Sequence, residues 1–414
     1  MLSFWENAPD LFKDGFILYG IGDGAEKVLA ALSQNGVGTD KIHCVCVSDG
    51  LSVGTAKDRF FCGHSVKPLS AALSESPAGI PVVVCFGTHL QNVIDDITLL
   101  CESRDVYLPD VPVVAEIAEV TKVAEAGEIM PAEQTGAVEN TERRAIKLFD
   151  SQYVRDRQKE LLKLKESLAD DLSRQVFENW LQYRLDGRWQ SALKLHDTDF
   201  NLFSIPERPV VQTGTGFIRI TDTGESYIDV GGYDGAGVMD FLKASGGEFS
   251  RICVFEPDPS SALKLRRNLY YKLKAPECVI QVAAAWDTDC EIPFRGGSGR
   301  GSRALYEAEL PAVNRPARAS KQTTVQAKKI DSVCEKYGIS PTFIKIDAEG
   351  AERRILRGAA DVVKKHRPRV AVAAYHRFDD ILRIPETMRE LGRYKTFLRS
   401  GAGVPPWEVW YYFV

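Results

Sequence analysis

Apolar runs of strand length and segments of helical spacing alternate along this chain in two separate blocks. In the first, Phe16-Ile-Leu-Tyr19 is a short apolar run of the buried-strand kind, Gly20-Ile-Gly-Asp-Gly24 a turn, and Ala25 to Asn35 a helix. His43 to Val47 and Pro81 to Phe86 follow as further strands, so the region to about residue 115 predicts a small parallel βαβ sheet of Rossmann-like type. From 116 the composition shifts to Ala, Glu, Thr and Gly, and Gln134-Thr-Gly-Ala-Val-Glu-Asn140 marks a boundary. Residues 141–186 are rich in charge and leucine. Leu172, Val176, Phe177, Trp180 and Leu181 are spaced to share a helix face, and Gly187 stops that helix. The segment 116–200 therefore predicts a helical region joining two units.

The second block, 201–414, repeats the alternation with longer elements. Tyr227 to Val230, Ile252 to Phe255, Val279 to Ala284, Phe343 to Ile346 and Val370 to Ala374 are apolar strands, most of them separated by helical segments. Its tail differs: Tyr394 to Arg399 and Trp407 to Val414 are aromatic-rich strands joined by Ser-Gly-Ala-Gly-Val-Pro-Pro, which predicts an antiparallel hairpin closing a parallel sheet. The fold class is thus α/β, with two Rossmann-like units, 1–115 and 201–414.

Composition changes this picture little. The chain has 414 residues, 44% hydrophobic and 26% charged, the ordinary globular mixture. A net charge of −5 gives no bulk attraction to nucleic acid. No apolar run is long enough to span a membrane, and the start lacks the basic and apolar regions of a secretory signal, so a cytoplasmic protein is expected. The nine cysteines, several inside apolar runs, read as reduced, buried thiols. Cys44 and Cys46 with His43 and His64 nearby are read as core packing rather than as a metal site, and no metal is expected.

Candidate chemistry concentrates in the second block. Asp229-Val-Gly-Gly-Tyr-Asp-Gly235 follows a strand, and glycine there serves either a turn or a close approach of ligand to main chain. The next strand ends in Glu256, where a doubly wound fold grips the two hydroxyls of a ribose. Asp229 and Asp234 flank the loop. Negative charge suits a cationic or zwitterionic ligand better than a pyrophosphate, which favours S-adenosylmethionine over a dinucleotide. Asp234 reads equally well as an N-cap of the following helix.

Lys345-Ile-Asp347-Ala-Glu349 alternates, which would place its three charges on one side of a strand or its end, opposite Ile344 and Ile346. Such a set is costly unless paired or held in a cleft. A structural ion pair of Lys345 with Asp347 or Glu349 is the other reading.

These residues resemble the FkbM-type methyltransferases, a branch of the class I S-adenosylmethionine-dependent enzymes. The resemblance rests on Asp229–Gly235, on Phe255-Glu-Pro257, on Phe343-Ile-Lys-Ile-Asp-Ala-Glu-Gly-Ala-Glu352 with Ile355-Leu-Arg-Gly358, and on Tyr375-His-Arg-Phe-Asp-Asp380. It covers about 200 residues, from 205 to the end. The family's loop usually reads D-V-G-A-N-x-G, so Gly232 and Tyr233 stand where Ala and Asn are typical.

The resemblance implies an O-methyltransferase acting on a sugar, nucleotide sugar or glycan precursor. It assigns Asp229 and Gly231 to the methionine part of the cofactor, Glu256 to the ribose, and Ala285 and Trp286 to the adenine, with Gly232 and Asp234 in the same loop. Methyl transfer requires the acceptor to be positioned and, for an alcohol, deprotonated. Asp347 and His376 are the competing bases, with Lys345 and Glu349 beside them. Arg295, Arg300 and Arg303 lie in a Gly/Ser run that reads either as a simple loop or as a lid over an anionic acceptor.

In the first block Gly20-x-Gly22-x-Gly24 follows a strand, with Asp49 past the second strand, so the dinucleotide fingerprint is partly met. That unit reads as a nucleotide site at Gly20–Gly24, an empty scaffold, or a homo-oligomer contact. Two rival functions follow: an NAD-dependent oxidoreductase run by the first block, and a non-catalytic nucleotide-binding protein that kept the methyltransferase fold.

Overall fold

The structure, a computed structural model, describes residues 2–50, 60–114, 117–118, 145–204, 206, 211–212, 218–219, 224–270, 278–296, 302–304, 322–404 and 408–414. Two sheets of mostly parallel strands organise it. The amino-terminal sheet has six strands in the order Phe60–Phe61, His64–Pro68, Ile42–Val47, Phe16–Tyr19, Val82–Val84, Val106–Tyr107. Every residue of Phe16–Tyr19 is buried. Its side chains alternate between faces, so Ile17 and Tyr19 join one apolar cluster while Phe16 and Leu18 join another.

The carboxy-terminal sheet has seven strands in the order Cys278–Gln281, Arg251–Phe255, Ser226–Val230, Phe343–Ile346, Arg369–Ala373, Val409–Phe413, Thr396–Ser400. The last two pair antiparallel, as the aromatic tail predicts. Strand order reverses between Ser226–Val230 and Phe343–Ile346, and this switch point opens a crevice at the carboxyl ends of the strands. Val279 to Ala284 is not one strand. Pairing with the parallel sheet ends at Gln281, and Ala284–Ala285 instead joins Gln322–Lys328 in a separate four-stranded sheet with Cys290–Arg295 and Arg303–Ala304.

The helix Asp171–Asp186 joins the halves. Asp170 caps it by accepting from the Ser173 amide at 2.8 Å, and Gly187 ends it in the left-handed conformation. Its buried face is Ser173, Val176, Phe177, Trp180, Tyr183 and Arg184. Leu172 lies outside that stripe and is 51% exposed. Ser173 takes the place expected of a leucine because its hydroxyl accepts from the Leu398 amide at 3.0 Å and from Arg399 at 2.8 Å. At the other end Arg184 pairs with buried Asp110 at 2.6 Å and lies over the rings of Phe149 and Trp180. One apolar cluster consequently includes Ile17, Trp180 and Ile344.

The boundary segment 119–144 lies outside the described residues. All nine cysteines are free. Cys62 and Cys290 are exposed, contrary to the expectation of burial, while Cys44 and Cys46 pack in the core. Among the described residues no helix is long and apolar enough to cross a membrane.

Candidate active site

At the switch point a cavity of about 530 Å³ is lined by the glycine loop, Glu256, Ala285, Trp286, Lys345, Asp347 and Glu349 among others. The loop owes its path to Gly231, which has φ +84°, and a Cβ there would sit 1.9 Å from the carbonyl oxygen of Asp347. Both the Gly231 and Gly232 amides donate to the Phe255 carbonyl at 3.1 Å, and the Asp347 amide donates to Val230. The loop is therefore clamped between two strands.

The two departures from the family loop have separate physical accounts. A Cβ at Gly232 would meet Val254 Cγ1 at 2.2 Å, so Val254 fills the space an alanine would need. Tyr233 has φ +46°, a region asparagine enters more readily than tyrosine. Its amide donates to Glu256 Oε2 at 2.7 Å, which helps hold the strained backbone. Tyr233→Asn is expected to raise stability by about 1 kcal/mol, the low end of the cost of a left-handed non-glycine residue. A urea unfolding midpoint at or below that of the wild type would contradict this.

Glu256 is buried at the tip of its strand and accepts a second amide, from Asp258, at 2.8 Å. Burial, the dominant influence, pushes its carboxyl up to about 7, against the pull of the two amides. Asp234 lines the cavity and accepts from the Ala236 amide at 3.2 Å, a turn contact two residues on; the N-cap itself is Gly235, so the reading of Asp234 as the cap is corrected. On the opposite wall the backbone of Trp286 approaches Gly358, whose Cβ would stand 1.8 Å from the Trp286 carbonyl oxygen. The Arg354 guanidinium lies over the Trp286 ring.

The charged cluster differs from its expected form. Register places Asp229 beside Lys345 on neighbouring parallel strands, and the ammonium stands 3.1 Å from the carboxylate. Asp229 is fully buried under the first turn of the helix Ala236–Ala244, where Gly237 leaves room for it and the helix N-terminus favours negative charge. Its side chain is not among the cavity-lining residues, and its placement suits support of the loop rather than the direct contact to the methionine part that the resemblance implies. Lys345 also donates to the carbonyls of Val230 and Gly231. Burial works to lower the Lys345 pKa, but Asp229 and Asp347 outweigh it and hold the group charged. Lys345 is thus a clamp on the loop.

The strand ends at Ile346, so strand alternation does not bring Asp347 and Glu349 to the cavity. A turn does, with Glu349 at φ +51°. Asp347 accepts from the Tyr375 hydroxyl at 3.1 Å and faces His376 Nε2 at 3.5 Å and Lys345 at 3.9 Å.

His376 is buried, and its Nδ1 lies 2.9 Å from Glu352. Glu352 also accepts the amides of Ala348 and Gly350. Burial opposes a charge on His376, but Glu352 foremost, then Glu349 and Asp347, raise its pKa to about 10. That shift favours the protonated ring, and His376 is not among the cavity-lining residues, so its placement suits a partner that orients Asp347 better than a base.

Asp347, Glu352 and His376 bring ligand-type atoms within 4.8 Å of one another. His376 already contacts Glu352 at 2.9 Å and Asp347 at 3.5 Å, and the set reads as an ion-pair network.

Sequence reasoning named Tyr375 within its motif but gave it no role, and it missed His89, Glu408 and Trp410, which also line the cavity. Of the described residues of the Gly/Ser run, Ser302 lines the cavity, with Phe294 and Ala304 at its two ends; Arg295 does not, its backbone pairs with Arg303, and Arg300 lies outside the described residues. In the amino-terminal unit, Cβ atoms at Gly20 and Gly24 would strike Phe86 and the Cys85 carbonyl, so these glycines serve chain packing. Asp49 accepts from the Ser70 amide at 3.1 Å.

Residues 229–394 match the model of the methyltransferase FkbM domain. Among solved structures, the chain is similar to a methyltransferase FkbM from Methylobacillus flagellatus KT, with TM-score 0.62 and 16% identity over 99% of this chain and 92% of that one. This shows a shared fold along the whole chain. More distant likenesses are a precorrin-6y C5,15-methyltransferase from Geobacter metallireducens GS-15 (TM-score 0.26, 11% identity, 52% of this chain and 98% of that one) and a Methanococcus jannaschii fibrillarin pre-rRNA processing protein (TM-score 0.27, 10% identity, 53% and 85%). No curated protein matches.

Proposed function

We propose, from the methyltransferase FkbM domain at residues 229–394, that this protein is an S-adenosylmethionine-dependent O-methyltransferase whose acceptor is a hydroxyl of a sugar or glycan precursor. The observation that carries the reading is the convergence of Gly231, Glu256 and Asp347 on one cavity at the switch point of the sheet. The residues fit the cofactor. Gly231 and Gly232 line the cavity with main chain, Glu256 has acceptor capacity beyond its two amides, and the volume lies within the usual range for small-molecule sites. Bound there, S-adenosylmethionine supplies a methyl group already activated by its sulfonium.

The chain's own residues do the rest. Gly231 and Gly232 present main chain, Glu256 accepts from the ribose hydroxyls, and Ala285 and Trp286 flank the base. Asp347, held in orientation by Tyr375, His376 and Lys345, accepts the hydrogen bond of the acceptor hydroxyl and takes its proton. Further out, the carboxylates of Glu349 and Glu408 and the rings of Tyr375 and Trp410 suit a ring that is apolar on its faces and hydroxylated at its edge. Three carboxylates at that end disfavour a phosphate beside the reacting hydroxyl.

Glu256→Gln is expected to weaken cofactor binding by roughly 2 kcal/mol, the scale of a hydrogen bond to a charged group. Because Glu256 keeps its proton up to about 7 in the folded chain, against an ordinary 4.5, it costs the free protein stability as pH rises through that window. The carboxylate is the form that accepts from a ribose, so affinity should climb between about pH 6 and pH 8 and then level off, with the slope gone in Glu256→Gln. Calorimetric titrations across that range check this, and a wild-type affinity that falls with rising pH would contradict it.

The function itself is tested by incubating the protein with methyl-labelled S-adenosylmethionine and a panel of neutral glycosides, amino sugars and nucleotide sugars, and locating the label by mass spectrometry. Label on a sugar oxygen is the expected result. Label on carbon, nitrogen or sulfur would overturn the O-methyl reading.

A further inference from the structure

The cavity is not built by the carboxy-terminal unit alone. His89, from the loop after the strand Val82–Val84 of the amino-terminal sheet, lines it together with Ala402, Glu408 and Trp410 of the terminal hairpin. Two independent contacts hold that loop in place. Thr88 and Val404 exchange both backbone hydrogen bonds, at 2.6 and 2.9 Å, as an antiparallel bridge between the two units. His89 Nε2 then faces Glu408 Oε1 at 3.6 Å, and the absence of a side chain at Gly403 leaves room for the imidazole, since a Cβ there would lie 2.7 Å from His89 Cε1.

We propose that the amino-terminal unit forms the outer wall of the acceptor half of the cavity, with His89 as the residue through which that wall sets acceptor specificity. The inference rests on the methyltransferase reading above. Two groups of lining residues lie apart in the sequence and carry different chemistry. Gly231, Glu256 and Trp286 suit the cofactor, whereas Asp347, Glu349, Tyr375, Trp410, Glu408 and His89 suit a hydroxylated acceptor. His89 is the member of the second group that the amino-terminal unit supplies. Its imidazole can donate to and accept from ring hydroxyls, with Glu408 3.6 Å away as a further polar neighbour. The loop also touches the glycine turn of its own sheet, because Phe86 occupies the space a Cβ at Gly20 would take. The first unit thereby gains a role that needs no ligand of its own.

The test uses the full chain and two probes. S-adenosylhomocysteine occupies the cofactor half alone, and a sulfonium analogue with benzyl in place of methyl extends toward the acceptor. His89 is 56% exposed in its side chain, so His89→Trp and His89→Ala should fold. His89→Trp is expected to weaken the benzyl analogue about tenfold, the scale of an overpacked contact, with S-adenosylhomocysteine within about twofold of wild type. His89→Ala should leave S-adenosylhomocysteine unchanged and bind the benzyl analogue at least as well as wild type. An unchanged ratio of the two affinities in both variants would overturn the wall. Failure of wild type to bind S-adenosylhomocysteine would instead overturn the methyltransferase reading, and the proposal with it.

Discussion

Asp347→Asn is expected to lower methyl-transfer turnover about a hundredfold, the low end of what a positioned general base contributes, while cofactor affinity stays near the wild-type value. The asymmetry follows from where the carboxylate sits. Its oxygens face Tyr375, His376 and Lys345, and the glycine loop contacts its backbone, through the Val230 carbonyl and the space beside Gly231, rather than its side chain. An amide keeps the shape and the backbone contacts but presents a donor where the hydroxyl needs an acceptor. Single-turnover rates with saturating cofactor, set beside calorimetric affinities, separate the two quantities. Equal loss of both would move Asp347 from the acceptor to the cofactor.

Gly231→Ala carries the largest expected structural penalty. The added methyl would stand 1.9 Å from a backbone carbonyl oxygen, and the residue would remain at φ +84°. No side-chain rotation relieves a clash with main chain, so either the turn carrying Asp347 shifts or the loop does. Overpacking and left-handed strain each cost about 1–3 kcal/mol, which gives roughly 3 kcal/mol or more together. Cofactor binding should be lost with it, because the loop and Asp347 move apart. Denaturant unfolding and a binding titration measure both. A variant as stable as wild type that still binds would mean that the close approach at Gly231 is not required.

Much of this was legible in the residues because strand and turn chemistry is local. Phe343–Ile346 and the aromatic hairpin follow from apolar runs between turn signals, and Asp229–Gly235 marks its turn by glycine alone. What escaped depends on which strands become neighbours. Asp229 and Lys345 are distant in sequence, and only their register in the sheet makes them an ion pair.

The same limit hid the Glu352–His376 contact, which holds the imidazole in the interior beside Asp347. It also hid His89, which nothing local connects to Glu408. The separate four-stranded sheet was missed for another reason. Ala284–Ala285 is too short and too continuous with the strand before it to show a change of sheet. Leu172 misled through its spacing, since leucine at a helix edge is exposed as readily as buried, whereas Ser173 found buried partners on the hairpin.

Titration calorimetry of the 414-residue chain with S-adenosylmethionine, S-adenosylhomocysteine and NADH in parallel tests the central claim most directly. The account predicts micromolar binding of the first two and none of the third, in keeping with acids rather than a pyrophosphate cradle around the 231–235 loop. NADH binding with silence from both adenosyl compounds would contradict it and would move the chemistry to the amino-terminal unit.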